Sequence, residues 1–149
     1  MKKITTHSKS GLFLMEMIFS LLILSLAAAA CIRIFAAADR VQREAREWNH
    51  IQELTTTAGE ILEGSDGKPD TFLELMEGGT QKENTLTYLY DRAWTPCSPG
   101  QESYTLTVSF SGDSRIKEAS LVFLKGEQQE LYSITLCFPR MNNGKEVSS

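Results

Sequence analysis

With 149 residues, 15 Lys and Arg against 19 Asp and Glu, and 42% hydrophobic content, the chain has room for one compact domain and one further long element. Three of the basic residues, Lys2, Lys3 and Lys9, fall in the first 11 positions, which leaves 12 basic residues against 19 acidic in the remainder. An acidic body repels nucleic-acid phosphates, and no basic patch with interleaved aromatics offsets it, so no direct nucleic-acid binding is expected.

The basic leader of residues 1–11 runs into an apolar stretch, GLFLMEMIFSLLILSLAAAACIRIFAAA, in which Leu12 to Ile32 matches the roughly 20 residues that span a bilayer as a helix. A secretory signal has a shorter apolar core and a small-residue cleavage site, which here would fall near Ala28 to Ala30; an uncleaved signal anchor is the other plain reading. Glu16 argues against both. A carboxylate in hydrocarbon is costly unless paired, so an acid at that depth marks function and calls for a partner. No Lys, Arg or His follows it within two helical turns, so the expected partner belongs to another molecule. Three lysines before the span favour a cytoplasmic amino terminus, with the rest of the chain exported.

The string SKSGLFLMEMIFSLLILSL resembles the prepilin motif of type IV pilins, type II secretion pseudopilins and competence pilins: a basic leader ending in glycine, an apolar block, then glutamate. The resemblance implies that a prepilin peptidase cuts between Gly11 and Leu12, that Leu12 is N-methylated, and that Glu16 serves in filament assembly. The partners implied are the peptidase, other pilin or pseudopilin subunits, an assembly platform in the inner membrane, and lipid. Cleavage would create an amine at Leu12 that Glu16 of a neighbouring subunit can neutralise, satisfying two ions that would each be costly alone. Many major pilins carry a helix-distorting proline where this chain has Arg33, and the first proline here is Pro69. That departure favours a minor pilin or pseudopilin of a pilus, a competence filament or a secretion machine. The alternative function is a signal-anchored, single-pass protein displaying an extracytoplasmic binding domain.

No glycine or proline interrupts residues 12–58, so one helix is expected from Leu12 to about Leu62, roughly 75 Å at 1.5 Å per residue. Its transmembrane and assembly part is assigned to residues 12–38 and an amphipathic continuation to residues 39–63. Asp39 and Arg43, Arg40 and Glu44, and Arg43 and Glu47 are opposite charges at i, i+4 on a solvated stretch. Ala45, Trp48, Ile51, Ala58 and Leu62, flanked by Leu54 and Ile61, form an apolar stripe, with Trp48 expected in the core. Gly59 and the cluster GSDGKPD signal the end of the helix.

Residues 64–140 are expected to form a β-domain. DTFLELMEGG reads equally as a short helix or an irregular connection. Period-two alternation then marks four strands: Leu86, Tyr88 and Tyr90; Tyr104, Leu106, Val108 and Phe110; Leu121 and Phe123; and Tyr132, Ile134, Leu136 and Phe138. The expected fold class is α+β, a long N-terminal helix packed on a C-terminal antiparallel sheet of about four strands, which is also the pilin-like layout the resemblance implies. Residues 141–149, lacking apolar periodicity, are expected to be a flexible tail.

Cys97 and Cys137 are candidates for a disulfide if the domain lies outside the cytoplasm; two reduced thiols is the other reading, and Cys31 is a small apolar helix residue. His7 and His50 are the two histidines, so a multi-histidine metal site or a nucleophile triad has little to work with. No glycine-rich phosphate loop and no CxxC occurs, and Asp66 and Asp70 sit in turn-forming sequence without calcium-loop spacing. No cofactor, no metal and no enzymatic activity are expected.

Overall fold

The computed structural model describes residues 7–141; the leader up to Thr6, with Lys2 and Lys3, and the tail from Asn142 onward lie outside the described residues. The architecture is α+β, as expected, with five strands rather than four. The elements are α1 (His7–Gly64), α2 (Pro69–Leu75), β1 (Thr80–Lys82), β2 (Thr85–Tyr90), β3 (Tyr104–Gly112), β4 (Ile116–Lys125) and β5 (Gln129–Pro139). The chain divides into two units that meet between Glu47 and Trp48.

In the first unit, α1 is exposed at every position from Lys9 to Arg46. Its apolar side chains, Leu12 to Phe35, therefore face outward all round rather than forming one stripe on a globular core. In the second unit the last part of α1 buries Ile51, Ala58 and Leu62 against the sheet, with Leu54 and Ile61 half-buried beside them. Gly59 does not end the helix: α1 continues to Gly64, and Gly59 lies beside Leu136 of β5 with room for ordinary contact.

The sheet is a meander in the order β1-β2-β3-β4-β5, every pair antiparallel. The alternation read from sequence sets its faces. Leu86, Tyr88 and Tyr90 of β2, Leu106 and Val108 of β3, and Leu121 and Phe123 of β4 are buried on the helix side. The opposite face carries Thr85, Thr87, Thr105, Thr107, Ser109 and Ser120, all half-exposed. α2 starts at Pro69, whose fixed φ suits a first helical turn, and Asp70 complements the helix dipole there. Phe72 of α2 is fully buried edge-on against Phe110, with ring centroids 5.3 Å apart. Beside it Tyr88 donates from Oη to the Met76 carbonyl (2.9 Å). Gly79 lies under the same ring, where a Cβ would come within 2.7 Å of the Tyr88 ring carbons, so only glycine fits.

The helix end is closed from the sheet. Lys117, at an inward position of β4 and only 6% exposed, donates from Nζ to the carbonyls of Glu63 (2.8 Å) and Ser65 (2.7 Å). A helix C-terminus leaves carbonyls without intrahelical donors and carries partial negative charge, so a buried ammonium meets both needs. Gly67, at φ +76°, packs on the Lys117 stem, and a Cβ there would approach Cγ to 2.8 Å.

Replacing Lys117 with Met should lower stability by about 2 kcal/mol, because two helix-end carbonyls lose a charged donor; urea unfolding of the full chain in detergent measures it. Burial pushes Tyr90 up to about 12, and burial followed by the neighbouring Tyr90 charge pushes Tyr88 up to about 12, from the ordinary tyrosine value of 10.0. The folded state thus holds these protons more tightly than the unfolded state. Their contribution to stability is complete below pH 10 and is lost as pH rises from 10 to 12. Unfolding midpoints across that range, followed with tyrosinate absorbance, should fall in step.

Candidate functional site

The residues of the expected assembly segment lie along the first unit of α1. Gly11 and Leu12 are both within the helix, Leu12 is 68% exposed, and a Cβ on Gly11 would meet nothing within 4 Å. Glu16 stands one turn beyond Leu12 and is exposed. Among the described residues it has no ion pair and no hydrogen bond to a side chain, and Leu14, Met15, Met17 and Ile18 around it are all exposed apolar groups. Beyond the apolar run, Asp39 and Arg43 form the expected i, i+4 pair at 2.7 Å, both well exposed. The helix is long and apolar enough to cross a membrane.

The three cysteines are free, so the pairing of Cys97 with Cys137 is corrected. Cys97 donates its backbone N–H to Leu89 at the end of β2, whereas Cys137 lies on β5, with β3 and β4 between them. Strands stand about 4.8 Å apart, and a disulfide needs Cα atoms within about 7 Å, so the two positions are out of reach of one another. Cys137 instead places its Sγ 3.8 Å from a Glu118 carboxylate oxygen. Local desolvation, then the Asp91 and Glu102 carboxylates, raise the Cys97 thiol above its usual value.

In the second unit two aromatic arrangements flank α1. On one side His50 stacks on Trp94 (centroids 5.3 Å apart) and Trp94 stacks on Tyr104 (4.1 Å), with Lys125 Nζ 5.6 Å over the Tyr104 ring. Trp94 sits at φ 61°, a left-handed conformation that a bulky residue holds only when its surroundings enforce it. Asp91 supplies that enforcement: its side chain accepts from Ala93 N–H (2.8 Å) and Thr95 N–H (3.0 Å), and its carbonyl accepts from Trp94 N–H (3.1 Å). On the other side Trp48 meets Tyr132 of β5 edge-on at 5.9 Å. Trp48 is 53% exposed and is not a core residue, which corrects its expected place in the stripe. It lines a groove of about 430 Å³ with Ile51, Gln52, Thr55, Thr56 and Tyr132.

The loop after α1 is built as a turn. Asp66 accepts from Lys68 N–H (3.1 Å) and pairs with Lys68 Nζ (3.2 Å), while Asp70 accepts from Gln81 Nε2 (2.8 Å). Desolvation alone would push the Asp66 carboxyl up, but the Lys68 backbone N–H, the Thr71 side chain and the Lys68 ammonium together hold it below its usual value. Among the described residues no three His, Cys, Asp or Glu side chains gather as a metal-holding group.

No family model, curated protein or solved structure matches the chain.

Trp94→Ala should cost about 2 kcal/mol, less than a fully buried tryptophan, by removing the ring that joins the loop between β2 and β3 to α1. Iodoacetamide at pH 8 should label Cys97 more slowly than a cysteine in an unstructured peptide, because less thiolate is present; mass spectrometry after timed quenching gives the rates.

Proposed function

We propose that the chain is a pilin-like structural subunit, a minor pilin or pseudopilin, of a type IV pilus, competence filament or type II secretion-like filament. Glu16 carries the reading. It is one unpartnered carboxylate among outward-facing apolar side chains, one helical turn from the residue whose amine the prepilin motif would free. In lipid that carboxylate needs a cation at its own depth, and cleavage after Gly11 would create one at Leu12 of an adjacent subunit. The pairing would also fix the axial register between subunits, since a shift of one turn leaves both ions unmatched.

Several features support this role. Glycine is about 1 kcal/mol less favourable than alanine within a helix, so α1 opens more readily around Gly11, where a prepilin peptidase would need an extended substrate. The apolar residues that face lipid before assembly would face neighbouring subunits in a filament, with no change in the conformation of α1. The subunit would enter the inner membrane with its amino terminus in the cytoplasm, display the β-domain outside, and be lifted from lipid by an assembly platform. Its role is structural rather than enzymatic.

The mature mass tests the processing step. Loss of residues 1–11 with one added methyl group is expected, and an intact chain or one cut near Ala30 refutes it. Gly11→Ala should block cleavage while leaving α1 folded, because the position is open. Glu16→Ala should permit cleavage yet lower incorporation into sheared filaments by at least about tenfold, the equivalent of 1.4 kcal/mol. Unchanged incorporation would leave a signal-anchored display protein as the better reading.

A further inference from the structure

The two edges of the sheet are unequal. β1 is three residues long and ends in Lys82, a short and charged edge of the kind that discourages pairing. β5 runs for 11 residues, and its stretch Tyr132–Phe138 carries no charge. Hydrogen bonding in an antiparallel pair alternates along each strand, so one known bond sets the direction of the rest. Arg140 N–H donates to the Arg115 carbonyl (2.9 Å), and β4 and β5 are in register at Ile116 and Pro139. Phe138, Leu136, Ile134 and Tyr132 therefore bond to β4, while Cys137, Thr135 and Ser133 turn their N–H and C=O groups to the open side.

The same alternation, carried across the sheet, requires Phe110 to bond to β2, and Phe110 N–H does donate to the Asn84 carbonyl (2.8 Å). Ser133, Thr135 and Cys137 are exposed, and among the described residues no strand pairs with that side of β5. Beside it, on the helix face, lies the groove of about 430 Å³ between Trp48, Ile51, Gln52, Thr55, Thr56 and Tyr132.

We infer that β5 binds an extended segment of another protein by strand addition, with a large apolar side chain of that segment seated in the groove beside Tyr132. The occupant is specified by two independent features. Alternating N–H and C=O groups along a strand edge are met as a row only by another extended backbone, which supplies the affinity. The groove admits side chains from the inward face of the added strand, which supplies the preference: apolar against Trp48, Ile51 and Tyr132, with Gln52 and the two threonines at its margin. A second copy fits less well. Its β1, three residues long and ending in Lys82, is too short to match the 11 residues of β5.

The test uses the full chain in detergent micelles and three fluorescein-labelled nonapeptides that alternate threonine with apolar residues, have lysine at both ends, and differ in a central Phe, Leu or Trp. Backbone amide exchange should find Ser133, Thr135 and Cys137 unprotected in the free chain. At least one peptide should bind saturably by fluorescence anisotropy and protect those three amides. The same peptide N-methylated at its five central amides, which removes donors on both edges, should bind at least about tenfold more weakly. Trp48→Ala should weaken the unmodified peptide by about tenfold and reduce the difference between central side chains. Protection of the three amides in the free chain, their protection through dimerisation of the chain itself, undiminished binding of the methylated peptide, or no binding by any of the three would each overturn the inference.

Discussion

Burial of Ile51, Ala58 and Leu62 against Leu86, Leu106, Val108 and Leu121 is the contact on which the second unit depends. A half-apolar helix and a sheet with one apolar face are each unstable alone, and each removes the other's surface from water. The small side chain at Ala58, fully buried, lets the helix approach the sheet. The position of α2 follows from the same core, since Phe72 enters it from the far side of the loop that ends α1.

The continuity of α1 joins two differently patterned stretches in one element. Its first part offers apolar side chains in every direction, and its last part offers them in one. The transition is marked by charge: Asp39, Arg40, Arg43, Glu44, Arg46 and Glu47 follow within nine residues of the last apolar run. In a bilayer, a helix with this arrangement could not slide along its axis without dragging ions into hydrocarbon.

Much of the fold was legible because periodicity reports burial directly. Leu86, Tyr88 and Tyr90, and Tyr104 to Phe110, alternate in sequence as they do in the sheet, and the end of α1 falls within two residues of its expected place. β1 was not legible. It is short and has no inward apolar residue, and its turn to β2 places Glu83 at φ 55° where a glycine would have announced a hairpin. Lys117 was hidden for the opposite reason: a lysine in an apolar alternation suggests the end of a strand, and its actual task appears only once the end of α1 is brought over it. Trp48 misled because its spacing fits the stripe, while its size sets it at the margin beside Tyr132. In the segment expected to serve assembly, Gly11, Leu12 and Glu16 are readable as residue types at fixed spacing, whereas the groove and the open side of β5 depend on which elements become neighbours.

The clamp at the end of α1 joins an ammonium to two peptide carbonyls, with no carboxylate in the contact. An ion pair on a surface weakens as dissolved electrolyte gathers round both members, but a dipole offers counterions little to gather on, and the buried ammonium is largely out of their reach. The join between helix and sheet should accordingly be indifferent to ionic strength, so the domain can pass from a dilute to a saline medium with the same stiffness at that corner.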